Sequence, residues 1–301
     1  FQGKAVDHHS FVQPALPGAV PNLPNPFDTL RPDPDGQGTG AASVVAGLTL
    51  GVAKDARLLD LQVSGKYTGT AVDPAAESAA FEAMDWLLAH VGGNGSANPR
   101  VALLSFASRD LSGTGAESLA TQAEGLWKAG VLVVVPAGGT SRLHASPYVL
   151  TVAGSEGPCG KVDATPTAPS KPDLSAQAKD VTVAQTRTTP PGPAAGTVTV
   201  AGTPYAAARV AGAAALAWQA RPDLSIAALA AILRDTAKDL GDAGPDGCGF
   251  GAVDPAAAVQ AALAWTDPTP TAPLAKPTPV PFLAVIAAVG LAVARRRAQA
   301  R

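Results

Sequence analysis

The sequence predicts an α/β fold, a three-layer αβα sandwich with a mostly parallel central sheet. Strand-like apolar runs alternate with helix-like segments from residue 1 to about residue 265, as they do in βαβ units. The strand-like runs are apolar throughout instead of alternating with polar residues, which is typical of strands covered by helices on both faces. A chain of 301 residues is long enough to bury such a core.

Five strands are predicted in the body of the chain. They cover residues 56–63, 101–106, 131–135, 148–153 and 181–184. The third has the sequence VLVVV, which offers no polar side chain to solvent. Connections between parallel neighbours are expected to be right-handed crossovers.

Six helices are predicted between and after these strands. They cover residues 39–48, 74–89, 116–129, 204–219, 225–236 and 255–264. Ser225 stands before an apolar helical run, where a hydroxyl can accept a hydrogen bond from the first turn, and it is therefore expected to be the N-cap.

The C-terminal part divides into three segments after a domain of residues 1–265. Residues 266–281 form a linker rich in proline and threonine, which favours an extended spacer. Residues 282–294 are an apolar run, and residues 295–301 are a basic tail beginning with three arginines. This order is typical of a stop-transfer segment with the main domain outside the cytoplasm. The alternatives are a sorting tail that is later removed and a hydrophobic helix docked on the domain.

The apolar run has 13 residues, fewer than the ~20 that span a bilayer. Extension of the span into the proline-rich flank, local thinning of the bilayer or snorkelling arginines would have to make up the difference. We expect an extracytoplasmic domain held at the membrane by this segment, or a surface protein after processing.

Composition excludes some partners and suggests one cross-link. The net charge is −2 and charged residues make up 15%, so no nucleic-acid partner is predicted.

Cys159 and Cys248 are the two cysteines, and an even count in an exported protein predicts a disulfide between them. The alternative is two unpaired buried thiols.

Several motifs resemble those of the subtilisin-like serine proteases, the subtilases, and occur in that family's order. Residues 35–39 (DGQGT) resemble D-G-H-G-T, residues 171–176 (KPDLSA) match K-P-D-L-S-A, and residues 202–212 (GTPYAAARVAG) resemble G-T-S-x-A-A-P-x-V-A-G. Residues 129–139 and 249–254 add two weaker matches. The C-terminal tail makes the chain similar to the mycosins, membrane-anchored subtilases of actinobacterial secretion systems. The resemblance implies a subtilisin-like fold.

The resemblance also assigns four catalytic positions, three of which are chemically disabled. Asp7 stands at the aspartate position, followed by two histidines where the family has D-[ST]-G. The histidine position is Gln37, whose neutral amide cannot act as a general base. The oxyanion asparagine is replaced by Gly139, and the nucleophilic serine by Pro204, which has neither hydroxyl nor N–H. The chain is therefore expected to be a pseudoprotease.

Proline at position 204 is compatible with the helix that the family's serine opens. Proline is favoured at the first helical position, where its missing N–H would have no intrahelical partner. Thr203 is expected to cap this helix.

The resemblance further implies a groove that could still hold an extended peptide. A peptide could add as a strand near Ser105 and Pro136. The candidate groove residues are Ser105, Phe106, Ala107, Pro136, Ala137, Gly138 and Tyr205. Tyr205 is expected at the rim, whereas Phe106 and Trp127 are more typical of a core.

Other chemistry has less support. His8 and His9 could begin a metal or acid–base site, but only His90 and His144 remain to complete it, and exposed strand-end histidines explain the pair as well. A relocated nucleophile at Ser105, Ser141 or Ser146 has no evident base. The sequence therefore predicts no metal and no cofactor.

Three functions remain open at this point. The first is a binding or scaffolding pseudoprotease, with a peptide or protein partner in the old substrate cleft or a place in an envelope or secretion complex. The second is an active membrane-anchored serine endopeptidase with a substitute residue. The third is a structural surface domain whose groove is blocked by bulky residues such as Tyr205 and Arg209.

Overall fold

The structure is a computed structural model that describes residues 36–63, 74–91, 100–105, 114–138, 142–156, 172–187, 194–241 and 247–266, together with the backbone of residues 5–10. Its strands are β1 (Ala5–Ser10), β2 (Leu58–Gln62), β3 (Val101–Leu103), β4 (Leu132–Pro136), β5 (Val149–Ser155), β6 (Leu174–Gln177), β7 (Val181–Arg187) and β8 (Ala194–Val200). Its helices are α1 (Gln37–Ala46), α2 (Pro74–His90), α3 (Thr114–Lys128), α4 (Arg142–Ala145), α5 (Thr203–Ala220), α6 (Ile226–Asp235) and α7 (Pro255–Ala264).

The strands are mostly parallel, as predicted. Strands β3, β4, β5 and β6 lie side by side in that order, and every pair among them is parallel. Strand β1 pairs in parallel with β2. Strands β7 and β8 form an antiparallel hairpin.

Strand β4 separates two hydrophobic cores. Leu132 and Val134 belong to a core built with α5, α6 and α7. Val133 and Val135 belong to a second core, which contains residues of α2 and α3. Successive side chains of a strand point to opposite faces, so this division places helices on both sides of the sheet. The predicted αβα sandwich is confirmed.

Most predicted elements are present, with shifted ends. Helix α7 has the predicted bounds, whereas β3 ends three residues earlier than predicted and β7 runs three residues further. Strands β1, β6 and β8 and the one-turn helix α4 were not among the predicted elements. Strand β6 has the sequence LSAQ, which is short and half polar, so its own pattern did not predict a strand.

The predicted N-cap of α6 is confirmed, whereas the predicted N-cap of α5 is not. Ser225 is the N-cap of α6, and its side chain accepts a hydrogen bond from the backbone N–H of Ala228. The predicted cap by Thr203 is wrong, because Thr203 is already helical and Gly202 is the N-cap of α5, with no side-chain hydrogen bond. Pro204 consequently occupies the second helical position, where a proline still displaces no intrahelical hydrogen bond.

Several predictions fall outside the described residues. These include the 282–294 segment, the linker before it and Cys159. Cys248 is described and buried. Across the part of the chain that the structure describes, no helix combines the length and the apolar character that a membrane crossing requires.

Candidate active site

The first turns of α1 and α5 lie next to each other. The two helices pack together. Gly40, in the first turn of α1, is so close to the ring of Tyr205 that a Cβ atom on the glycine would stand 3.1 Å from Cε1 of the tyrosine. Two motifs that are far apart in sequence, those of Gln37 and Pro204, are thereby brought to one place.

Gln37 connects this place to the end of β3. It is the first residue of α1, after Gly36, which adopts a left-handed conformation with φ of 74°. Its side-chain Nε2 donates a hydrogen bond to the backbone carbonyl of Ser105, two residues beyond β3. An amide can fix a carbonyl in this way, but it cannot remove a proton from a nucleophile near neutral pH.

Pro204 supplies no reactive group to the site. Gly202, which precedes the helix, has φ of 152° and donates its N–H to the carbonyl of Ala178. Pro204 then offers a ring in place of a hydroxyl, and its nitrogen carries no hydrogen for an oxyanion.

Tyr205 is half-buried in a small hydrophobic cluster between α1 and the β7–β8 hairpin. Its neighbours there include Val44, Val183 and Ala208. Its ring is thus packed between α1 and the hairpin. Whether one edge of the ring also serves as the rim of a peptide groove stays a prediction.

Ser43 makes two hydrogen bonds where α1 packs against the hairpin. Its buried hydroxyl donates to the carbonyl of Gly40 at 2.7 Å and accepts the backbone N–H of Ala184 at 2.9 Å. Helix α1 is therefore held to β7 by hydrogen bonds as well as by packing.

The end of β4 forms the next part of the predicted groove. Pro136 pairs in register with Val152 of β5, and Ala137 donates its N–H to the carbonyl of the same residue at 2.7 Å. Gly138 has φ of 124°, a conformation that favours glycine. No atom of the described residues lies within 4 Å of the position of its missing Cβ, so those residues leave space beside the backbone here. Gly139, Phe106 and Ala107 lie outside the described residues.

Asp7 lies in the middle of β1, in register with Leu59 of β2. The prediction that His8 and His9 occupy a loop at the strand end is wrong, because both belong to β1 and pair with Asp60 and Leu61. Only the backbone is described here, so the positions of these three side chains stay undefined.

Ser146 and His90, also singled out by sequence, make local contacts. The hydroxyl of Ser146 accepts the N–H of Tyr148 at 3.2 Å. His90 stacks on Trp86 with ring centroids 3.9 Å apart and bonds to that residue's carbonyl through Nδ1. His144 is buried. Trp127 is packed against the core and meets Tyr148 edge-on. Ser141 lies outside the described residues.

Arg209 lies on α5, four positions after Tyr205 and five after Pro204. Around the helix its side chain is about 40° from Tyr205 and about 140° from Pro204. It lines a cleft together with Val52, Glu156 and Lys179, and none of the described residues of the predicted groove lines that cleft. Whether Arg209 also narrows the groove stays a prediction. The signal for this second site is a single charged residue in an 18-residue helix of otherwise small, apolar and uncharged residues.

Comparisons with known proteins agree with this geometry. The profile of the subtilase family (peptidase S8) matches residues 24–251. The subtilisin-like serine protease Pen ch 13 of Penicillium rubens is 32% identical over 197 residues, covering 64% of this chain and 45% of that protein. The chain thus spans about half the length of this relative.

Solved structures show the same fold. A protease from Pseudoalteromonas arctica is 26% identical, with a TM-score of 0.58 over 75% of this chain and 70% of the other. The MycP3 protease from the type VII (ESX-3) secretion system is 20% identical, with a TM-score of 0.53 over 74% and 72% of the two chains. At that level of identity the second likeness concerns the fold alone.

Proposed function

The chain belongs to the subtilase family, and from this premise we propose that it is a proteolytically inactive member that binds an extended peptide or scaffolds an envelope or secretion complex. The observation that carries the proposal is the proline in the first turn of α5, at the position where a subtilase opens this helix with its nucleophile. At this position the chain therefore has no side-chain oxygen that could attack the carbonyl carbon of a peptide bond.

The hydrogen bond of Gln37 supports the same conclusion. A catalytic base must be able to exchange a proton with the nucleophile. The Gln37 amide instead donates to the carbonyl of Ser105, which fixes α1 to β3 and gives the residue a structural use. The replacement at this position removes the base and supplies a stabilising contact.

Peptide recognition does not require the lost groups. Strand addition depends on backbone N–H and C=O groups at the edge of a groove. The carbonyl of Ser105 has a second lone pair beside the one used by Gln37, and the backbone at Gly138 has open space around it. Both features favour an extended peptide that is held and not cleaved.

A structural domain that binds no peptide is the second candidate. The same Gln37–Ser105 hydrogen bond favours it, since the amide already bonds to a backbone carbonyl that an added strand would use. An active endopeptidase is the third possibility from the sequence, and no contact of the described residues favours it.

The deciding experiment is intact-mass analysis of the purified chain after incubation with a fluorophosphonate probe. An active subtilase labelled in parallel is the control, and no adduct is expected on this chain. A stoichiometric adduct would overturn the proposal, and the mapped residue would identify the true nucleophile.

A library of peptides carrying benzophenone separates binding from a purely structural role. We expect photo-crosslinks near Ser105 and Gly138, with every recovered peptide intact. Absence of crosslinks would favour the structural domain, and cleaved peptides would favour the endopeptidase.

We further propose that the domain is extracytoplasmic and attached to the membrane through residues 282–294. The three arginines that follow the apolar run support this orientation. The full chain should stay with membranes through alkaline carbonate extraction, whereas a chain ending at residue 281 should be released. Release of both would contradict the attachment.

A further inference from the structure

A cleft of about 470 Å³ lies beside the carboxyl ends of β5 and β6. Ser155 ends the first strand and Glu156 follows it, Gln177 ends the second, and Arg209 enters from α5. Gln37, Ser105 and Pro204 are not among its lining residues, so it is distinct from the candidate active site. Its volume is within the range of pockets that hold small ligands, about 300–1,000 Å³.

Arg209 brings an unneutralised charge into this cleft. Its Nε atom is buried and has no hydrogen-bond partner among the described residues. Burial lowers the pKa of Arg209 below its ordinary value. A guanidinium nevertheless stays protonated at any physiological pH, so the positive charge persists.

One carboxylate of the cleft is paired with the lysine that lines it. Nζ of Lys179 donates a hydrogen bond to Oε2 of Glu156 at 3.0 Å, and both side chains are exposed. This hydrogen bond raises the pKa of Lys179, with a further contribution from the charge of Asp180. Among the described residues neither carboxylate forms an ion pair with Arg209, and burial is the cause of its lowered pKa.

A buried donor without an acceptor is unfavourable, and an incoming acceptor would relieve that penalty. A carboxylate is well matched, because its two oxygens can take the parallel hydrogen bonds of a guanidinium edge. Ser155 is a further polar residue of the lining, while Val52, Ala176 and Val253 are its apolar part. We propose that this cleft is a binding site for a carboxylate attached to a small apolar body, with Arg209 as its anion-binding residue.

Two sources offer this chemistry, a free organic acid and the C-terminus of a peptide. Hexanoate represents the first and acetyl-trialanine the second, and each has a neutral amide counterpart that should not bind. Titration calorimetry on the full chain is expected to give saturable 1:1 binding of at least one of the two acids. Binding of hexanoate alone identifies a free acid as the source, and binding of the peptide acid alone identifies a C-terminus.

Variants assign the binding to Arg209. Arg209→Gln should lower the affinity for the acid by about tenfold or more, because the charged contact with two parallel hydrogen bonds is lost. Arg209→Lys keeps the charge but loses the paired N–H donors of the guanidinium, and it should weaken binding by about threefold. This second variant keeps the test decisive if Arg209→Gln folds poorly. Arg142→Gln, the same change at an exposed position of α4, should bind like the unaltered chain.

Three results would overturn the proposal. They are failure of both acids to bind the unaltered chain, equal binding of the amides, and undiminished binding by both Arg209 variants. None of these results depends on whether the candidate active site hydrolyses peptides.

Discussion

The side-chain amide of Gln37 is hydrogen-bonded to the backbone carbonyl of Ser105, across 68 positions of sequence. Substitution Gln37→Ala should therefore destabilise the domain by about 1 kcal/mol, the net value of a typical intramolecular hydrogen bond. Thermal unfolding should shift downward by about 2–4 °C. Gln260→Ala, a matched change at an exposed position of α7, should leave the midpoint nearly unchanged. Equal midpoints for the two variants would show that the Gln37 contact contributes nothing.

Two buried serines should respond in opposite directions to replacement by alanine. Ser43 is 1% exposed and makes two hydrogen bonds, whereas Ser175 is 0% exposed and its hydroxyl has no partner among the described residues. Ser43→Ala should destabilise by about 1–3 kcal/mol, because the N–H of Ala184 loses its acceptor. Ser175→Ala should be neutral or stabilising. Urea titrations with a common slope would measure both, and a strongly destabilising Ser175→Ala would reveal a hidden partner.

Helix α5 meets the segment after α1 at a glycine. A Cβ on Gly212 would stand 2.7 Å from Cβ of Val52, which cannot rotate away. Gly212→Ala should destabilise by about 1–3 kcal/mol through overpacking, in spite of alanine's better helix propensity. Gly196→Ala on β8 should have little effect or stabilise slightly, because no atom of the described part of the chain lies within 4 Å of its Cβ position. A stabilised Gly212→Ala variant would contradict the close packing of α5 on Val52.

The cysteines offer a test that needs no substitution. If Cys159 and Cys248 form the predicted disulfide, the unfolded chain should have no free thiol before reduction. After reduction it should have two. The closed loop of nearly 90 residues should contribute roughly 4–5 kcal/mol in the chain-entropy description. Thiol titration in denaturant measures the first point and unfolding with and without reductant the second. Two reactive thiols before reduction would exclude the bond.

The sequence was most informative where local chemistry decides the structure. Ser225 caps α6 as expected, since a cap depends on neighbouring backbone groups. Strand β4 was predicted because five consecutive apolar residues must be buried. Strand β6 was missed because its pairing with β5 and its bond to Gly251 are tertiary contacts with no trace in its own pattern.

The candidate site was predictable to a similar degree. The resemblance predicts Pro204 at the start of a helix and Gln37 just before a helix that begins at residue 39. In the structure α1 begins at Gln37 itself, and it packs against α5, which carries Pro204. The bond from Gln37 to Ser105 could not be predicted, because it depends on how α1 is oriented toward β3. The cleft that Arg209 lines could not be predicted either, because its residues come from β5, β6 and α5, which only the tertiary fold brings together.

The division of β4 between two cores has a consequence for how this domain opens. Its backbone is hydrogen-bonded to β3 on one side and to β5 on the other, and both of its faces are covered by helices. The N–H groups of β4 point within the sheet toward these two neighbours, so solvent reaches them only when the strand pairing opens. Such opening also disturbs the helices packed on both faces, and we therefore expect the hydrogen exchange of β4 to be among the slowest in the domain. A substitution that loosens the layer of α5 or the layer of α3 should speed exchange at the same strand.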